Sequence, residues 1–462
     1  MVSYSCVVAF CKNRGIGANN ALPWNLHFDL LKFKKLTNEK IVVMGYATYL
    51  SLPKKPLTNR LNIVITSKTD VQNTETLIFT NLLDVYSIID RYVEKYSSEV
   101  MIIGGQMLYE HFIDLCDKLY VTYIDKKYEC DRTFPYIDSK FKLEEYDDPS
   151  FVETEQCYVQ NLIFTNNGLN DNEHEKEYFN LCKRILNSGN DIRVDRTGTG
   201  TISTFGERIE FDISEYIPVL TTKRVPWKSC IEELLWFMKG QSDANILKKK
   251  GVNIWNGNSS KASQQKVGLQ HLEEGDCGAN YSFQWRFFGQ EYKTCDAEYI
   301  KKTEYDQIHN IIQLLKTDPT SRRIFLSSWN PCDLNKTVLP PCHVSCQFYV
   351  NHGELSCHMY QRSCDVFLGL PWNILSYSVL THILSKMCGF APKRLIISFG
   401  DSHVYKNHLE QITTQLSRTP LSRPIIKLSE SIATKTVEDI TIDDFELYGY
   451  YPHPSIHAPM SV

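Results

Sequence analysis

Pro341-Cys342-His343, followed nineteen residues after the cysteine by Gln361-Arg362-Ser363-Cys364-Asp365, puts a thiol, an arginine and a hydroxyl into one half of the chain. Thiolate is the reactive form of cysteine, and nearby positive charge favours it, so an arginine-rich pocket activates a cysteine and grips a phosphate at once. The competing reading of the tripeptide is a small buried hydrophobe. The run Cys346-Gln347-Phe348-Tyr349-Val350 reads as strand, and no second closely spaced ligand pair accompanies Cys342, His343, Cys346 and His358, which argues against zinc.

Around this segment lies a chain of 462 residues, longer than one hydrophobic core supports, so two or three domains are expected. A hydrophobic content of 42%, a charged content of 23% and a net charge of -4 argue against disorder and against general polyanion binding. Lys248-Lys249-Lys250 is the longest basic run and carries no interleaved aromatic residue, so it reads as a solvated face and no nucleic-acid partner is expected. The fifteen cysteines run from Cys6 to Cys388 without a repeating spacing, which suits free thiols in a reducing compartment. Met1-Val2-Ser3-Tyr4-Ser5 lacks a charged n-region, and no stretch approaches a membrane span, so the expected location is the cytoplasm, with no membrane partner.

Short β-rich runs alternate with helical patterns in the first third: Tyr4 to Phe10, Ile41 to Met44, Leu61 to Thr66, Val100 to Ile103 and Leu119 to Ile124. This alternation predicts an α/β domain over 1–165. The polar, turn-forming segment at Asn166-Asn167-Gly168 ends it, a linker is expected over 166–176, and a new helical stretch starts near Glu177. From 177 to 462 strands and longer helices mix without strict alternation, as in an α+β domain, and no internal repeat is visible.

Two carboxylates stand out. From Lys228 to Gly240 the pattern predicts a helix buried all round, with Glu233 among its aromatics; a carboxylate there is paired, neutralised or functional, and a structural salt bridge competes with a catalytic role. In the first domain Asp29 and Phe33, four apart after Ala21-Leu22-Pro23-Trp24, share one helical face. An acid in an apolar cleft has its pKa raised and can hydrogen-bond a heterocycle edge, while a first-turn or N-cap role is the plainer alternative. Gly104-Gly105 after the strand Val100-Met101-Ile102-Ile103 can bring backbone close to cofactor phosphates.

Gly15-Ile16-Gly17, Leu22-Pro23-Trp24, the acid five residues after that tryptophan, Val43-Met44-Gly45, Ile103-Gly104-Gly105 and Thr133-Phe134-Pro135 together resemble dihydrofolate reductase over roughly the first 160 residues. The resemblance implies hydride transfer from NADPH to dihydrofolate. Asp29 would hold the pterin and support its protonation, Val7, Val8, Leu22, Phe33, Ile103 and Thr122 would line the pocket, and Arg60 would clamp the substrate's glutamate carboxylate. Gly17, Thr48, Ser67, Gly104 and Gly105 match cofactor positions. Tyr46 and Ala47 stand where the family often carries basic residues, which leaves Ser67 or Lys68 to hold the 2'-phosphate.

From about Tyr178 onward the chain resembles thymidylate synthase. Asp195-Arg196-Thr197-Gly198-Thr199, Leu220-Thr221-Thr222-Lys223, Glu232-Glu233-Leu234-Leu235-Trp236, Pro341-Cys342-His343, Gln361-Arg362-Ser363, Pro371-Trp372-Asn373 and Asp401-Ser402-His403-Val404-Tyr405 stand in the family's order. The implied reaction is reductive methylation of dUMP by 5,10-methylenetetrahydrofolate, with Cys342 adding to C6 of the uracil and Glu233 and Tyr281 in the proton-transfer network. Asn373 would read the uracil edge, and Arg196, Arg362 and Ser363 the phosphate, joined by Arg322 and Arg323 from a second subunit of a homodimer. His403 and Tyr405 match deoxyribose contacts, and Trp255, Asn258, Asp365, Gly369 and Trp372 match the folate side. Trp372 replaces a common phenylalanine, Phe287 a common histidine and Ala279-Asn280 a frequent Pro-Val. The apolar tail Ile456 to Val462 resembles one that closes over the folate.

The whole chain thus resembles the bifunctional reductase-synthase family of protozoa and plants, with no metal required. The alternative is that only one domain is catalytic and the other serves as a binding or dimerisation module; intact Asp29 and Cys342 argue against it.

Overall fold

The computed structural model describes residues 2–68, 70–168, 172–187, 192–193, 198–300 and 306–460. The chain forms two compact units, Met1–Asp171 and Asn172–Val462.

In the first unit, Ile41–Gly45 and Leu61–Ile65 are apolar runs buried almost throughout, as strands covered on both faces of a parallel sheet must be. They lie in a nine-stranded sheet with the order Ser150–Val152, Cys157–Asn166, Cys116–Ile124, Ser3–Cys11, Glu99–Ile102, Ile41–Gly45, Leu61–Ile65 and Leu77–Thr80, with Phe141–Tyr146 also paired to Cys157–Asn166. The centre is parallel, and Cys157–Asn166 joins Cys116–Ile124 antiparallel. The five strands read from sequence are present. Four others were not expected: Leu77–Thr80, Phe141–Tyr146, Ser150–Val152 and Cys157–Asn166. Exposed positions interrupt Phe141–Tyr146 and Ser150–Val152, so no continuous apolar run announces them.

The helix opening the second unit is Glu173–Asn187, four residues earlier than expected, and it occupies the end of the stretch read as linker. Its first turn looks like linker because it is polar, yet tertiary contacts bury those polar groups. His174 Nε2 bonds the Asp212 carbonyl oxygen at 2.7 Å, and the Glu175 carboxylate accepts from the Thr221 amide at 2.5 Å, the Thr222 amide at 3.2 Å and the Thr222 hydroxyl at 2.5 Å.

The core of the second unit is a seven-stranded sheet ordered Ile192–Arg193, Thr201–Phe205, Ala391–Tyr405, Glu354–Asp365, His343–Asn351 and Phe325–Ser327, with Arg208–Asp212 also paired to Ala391–Tyr405. His343–Asn351 and Glu354–Asp365 form a hairpin closed by His352-Gly353, both at positive φ (49° and 79°), the mirror-image turn that matches strand twist. Glu354–Asp365 then pairs parallel with Ala391–Tyr405, and such a pair needs a long crossover. Leu370–Cys388 supplies it, a helix buried on nearly every side against the sheet. Trp227–Met238 lies beside it in the same core, with Cys230, Ile231 and all of Glu233 to Met238 buried, as its sequence predicts. No helix among the described residues is long and apolar enough to cross a membrane.

Candidate active sites

The reductase-like site grows from the entry to the helix His27–Thr37. Trp24 packs edge-on to Tyr128, with ring centroids 5.4 Å apart, in a cluster with Leu26, Cys11 and Cys157, and this anchors the start of the helix. Asp29 sits in the first turn; Leu26 occupies the N-cap without a side-chain bond, so Asp29 does not cap. Its Oδ1 accepts from the Thr122 hydroxyl at 2.6 Å. Burial pushes the Asp29 carboxyl above its usual range, while that hydrogen bond and the charge of Lys32 pull it down.

Val8, Ile103 and Thr122 are buried, whereas Val7 and Phe33 pack half-buried against the cluster of Met44, Met101 and Ile103. Leu22 is the outlier, 52% exposed at the rim. Arg60 is only 4% exposed; it donates to Thr37 Oγ1 at 2.8 Å and to the Thr58 carbonyl at 2.9 Å, and no carboxylate partners it among the described residues.

Gly104 and Gly105 follow the strand Glu99–Ile102, and the Gly104 carbonyl takes the Gly45 amide at 2.7 Å. A Cβ on Gly105 would stand 3.3 Å from Thr48 Oγ1, and Gly104 has φ +115°, so glycine lets two backbone segments and Thr48 converge on one cradle. Gly17 lies in a separate two-stranded antiparallel sheet, Gly15–Gly17 with Arg132–Thr133. Ser67 is exposed, and the Lys68 ammonium stands 4.7 Å above the Tyr46 ring, which brings the two together where family basic residues are missing.

In the second unit Cys342 precedes the strand His343–Asn351 and is half-buried. Its amide donates to the Tyr281 hydroxyl at 2.6 Å, and Arg362 Nη2 lies 3.9 Å from its Sγ. Arg362 is itself braced by the carbonyls of Pro341 at 2.8 Å and Pro340 at 2.9 Å, and its amide bonds the Cys342 carbonyl at 2.9 Å. The thiol of Cys342 and the guanidinium of Arg362 are therefore neighbours at the start of one strand pair. His343 stacks on Tyr281 with centroids 3.9 Å apart and bonds the Tyr377 hydroxyl at 2.8 Å; burial lowers its pKa to about 3, so the ring is neutral.

Glu233 is buried, and among the described residues no cation pairs with it. Its two oxygens instead accept from the indole N–H groups of Trp255 and Trp372, each at 2.6 Å. Burial raises its pKa to about 7 against the pull of those two donors. Among the described residues the two indoles, and no structural salt bridge, satisfy the carboxylate. Glu233 and Tyr281 share no direct hydrogen bond; Trp255 lies between them, its ring 6.2 Å from that of Tyr281.

Asn373 Oδ1 accepts from Gln361 Nε2 at 3.1 Å. Asp365 Oδ1 takes the amides of Phe367 at 3.0 Å and Leu368 at 3.1 Å, and its carbonyl takes that of Gly369 at 3.0 Å, shaping the turn into Leu370–Cys388. His403 Nδ1 bonds Asp401 at 2.8 Å and packs edge-on to Tyr405, while strand register puts Ser363 beside Asp401 and Asp365 beside His403. Asn258 is half-buried ahead of the helix Lys261–Lys266. In the tail, His453 N bonds the Thr221 carbonyl at 2.8 Å, His408 bonds the Pro459 carbonyl at 2.7 Å, and Ile456 and Ala458 pack on the core. Arg322 and Arg323 are exposed on the turn before Phe325–Ser327, and no bond links either guanidinium to Cys342 among the described residues. Arg196, Ser461 and Val462 lie outside the described residues. Among the described residues no three His, Cys, Asp or Glu side chains converge as metal ligands.

Sequence reasoning missed Lys32 and Asn161, and it quoted Gln361 within a motif without giving it a role. Lys32 was legible from its three-residue spacing after Asp29, whereas Asn161 reaches the site only because register sets it opposite Thr122.

Two constellations on one chain, a buried carboxylate bonded to the Thr122 hydroxyl and a thiol beside a guanidinium, fit a bifunctional enzyme. A family model for thymidylate synthase matches residues 176–462 and one for dihydrofolate reductase matches residues 3–165. The bifunctional dihydrofolate reductase-thymidylate synthase of Paramecium tetraurelia is 40% identical over 467 residues, covering 100% of this chain and 99% of that protein. The Zea mays protein of the same description is 38% identical over 511 residues, covering 100% of this chain and 97% of that one. The chain belongs to the family of bifunctional dihydrofolate reductase-thymidylate synthases.

Proposed function

We propose that the synthase domain converts dUMP to dTMP with 5,10-methylenetetrahydrofolate, releasing dihydrofolate, and that the reductase domain returns this product to tetrahydrofolate with NADPH. The Cys342–Arg362 neighbourhood carries this reading. Cys342 Sγ adds to C6 of the uracil, and C5 becomes the carbon that attacks the one-carbon unit. Asn373 offers its amide oxygen to N3–H and an amide N–H to O4 of the uracil, Arg362 and Ser363 with Arg196 hold the phosphate, and His403 and Tyr405 meet the sugar hydroxyl. Glu233, poised near neutrality, takes and returns protons around C5 and O4 with Tyr281. Trp255, Asn258, Asp365, Gly369 and Trp372 line the folate side.

In the reductase domain NADPH supplies the hydride when bound, and the Gly104-Gly105 cradle with Thr48 fits its passage close to backbone. Gly17 and Ser67 complete the cofactor contacts, with Lys68 on the 2'-phosphate. Asp29 orients the pterin and delivers the proton, Val7, Val8, Leu22, Phe33, Ile103 and Thr122 enclose it, and Arg60 receives the glutamate carboxylate for which its buried cation has no partner among the described residues.

The exposed face of the synthase sheet supports a homodimer. Phe325, Tyr349 and Tyr360 stand 48%, 61% and 42% exposed there, an apolar patch that a second copy would cover, and Arg322 and Arg323 beside it would reach the partner's phosphate site. We further take 1–165 and 177–462 as the two catalytic units, with the helix Glu173–Asn187 of the second reaching into the 166–176 junction, and the cytoplasm as the setting.

Cys342→Ala and Asp29→Asn, made separately, test the assignment. Each should abolish its own domain's turnover and spare the other's. Full dTMP formation by Cys342→Ala would refute covalent catalysis at that sulfur.

A further inference from the structure

Lys32 follows Asp29 by three residues and so shares its helical face. Its half-buried ammonium donates to Asn161 Oδ1 at 2.6 Å and to Thr122 Oγ1 at 3.3 Å. Thr122 is the residue whose hydroxyl donates to Asp29 Oδ1 at 2.6 Å. Asn161 is aligned from behind, since its amide N–H and its Nδ2 donate to the two oxygens of Asp147 at 2.6 and 2.5 Å, which leaves its side-chain oxygen facing Lys32. Register fixes Asn161 opposite Thr122 across the antiparallel pair, so the receiving groups are held by the sheet.

The Thr122 hydroxyl has one hydrogen and two acceptors in reach, Asp29 Oδ1 at 2.6 Å and Asn161 Oδ1 at 3.3 Å. An ammonium has donors and no acceptor, so Lys32 both engages Asn161 Oδ1 and fills a lone pair on Oγ1. The hydroxyl hydrogen then has one direction left, toward Asp29. We propose that Lys32 is a positioning residue of the reductase site, which orients the Thr122 hydroxyl onto Asp29 and holds a cation one hydroxyl away from that carboxylate. The proposal rests on the reading of Asp29 as the proton-delivering group.

The charged and titratable groups around Asp29 are consistent with this division of labour. Lys32 lies on its own helix, Asp147 stands behind Asn161, and Tyr109, from the helix Gln106–Phe112, donates to the Val7 carbonyl at 2.8 Å and is kept neutral by burial. Burial lowers the Lys32 pKa, and Asp29 and Asp147 hold it up.

The test is the pH profile of reductase kcat in the full chain, for Lys32→Met, Lys32→Gln, Lys32→Arg and, as a control on the exposed side of the helix, Lys35→Met. NADPH binding reports that the domain is folded, and Lys32→Gln carries the test if Lys32→Met does not fold. Loss of the cation disfavours the charged carboxylate, so the limb that reports Asp29 should move to higher pH by about one unit, up to tenfold in rate at a fixed pH on that limb. Lys32→Arg and Lys35→Met should keep the parent profile. A profile unmoved by loss of Lys32, or moved equally by Lys35→Met, overturns the role of Lys32. Asp29→Asn separates the two claims: if it is inactive while the Lys32 variants show no shift, only Lys32 is misassigned, and if it is fully active, the reading of Asp29 itself fails.

Discussion

Trp372 and Glu233, 139 residues apart in sequence, are joined by a 2.6 Å hydrogen bond from indole Nε1 to carboxylate Oε2. The tryptophan stands where phenylalanine is common in the family, and the bond supplies a donor to a carboxylate that already accepts from Trp255. Two neutral donors in place of a cation leave the acid near neutrality, where it can both give and take a proton.

Removing one donor should move that balance. Trp372→Phe takes away a hydrogen bond to the charged form, so the Glu233 pKa rises, and the limb of the synthase pH profile that reports it should shift upward by about one to two units. Measuring kcat for dTMP formation from pH 5 to 9 checks this, and an unchanged limb removes Glu233 from the proton-transfer role.

The same carboxylate makes stability fall with pH. Its pKa is raised on folding, from 4.5 to about 7, so the folded state binds the proton more tightly than the unfolded state. Its contribution is fully present below pH 4.5 and is lost as pH rises through 7, about 3 kcal/mol in all. Glu233→Gln should abolish that component. The difference in synthase-domain Tm between the variant and the parent chain should therefore grow in the variant's favour between pH 5 and 8; a constant difference contradicts it.

Arg60 is a buried cation with two neutral partners, the Thr37 hydroxyl and the Thr58 carbonyl. If it receives the substrate carboxylate, Arg60→Leu should raise the KM for dihydrofolate by about 30-fold or more with little change in kcat, since an interaction kept through ground and transition states affects binding alone. A large loss of kcat at unchanged KM would place Arg60 in the fold's support.

Sharing of sites between subunits is open to complementation. Cys342→Ala chains mixed with Arg322→Ala/Arg323→Ala chains should regain synthase turnover after subunit exchange, to about a quarter of the parent level, because random pairing makes half the dimers hybrid and each hybrid has one intact site. No recovery, in mixtures shown to exchange, would assign the two arginines to their own chain.

Much of this enzyme is decided by local pattern. Ile41 to Met44 declares a strand because both its faces are buried, and the aromatics flanking Glu233 declare a buried helix, since apolar periodicity follows from the backbone's own geometry. Cys342 with Arg362, and Asp29 with Phe33, lie near enough in sequence for their chemistry to be read from spacing. Contacts made by tertiary packing leave no such mark. Only the folded chain decides that Glu233 meets two indoles instead of a cation, that Asn161 and Lys32 stand behind Thr122, and that Glu175 turns a polar, linker-like stretch into a docked helix. Burial and the partner across the sheet set a polar group's role, and both are properties of the three-dimensional environment, which neighbouring residues in the chain do not encode.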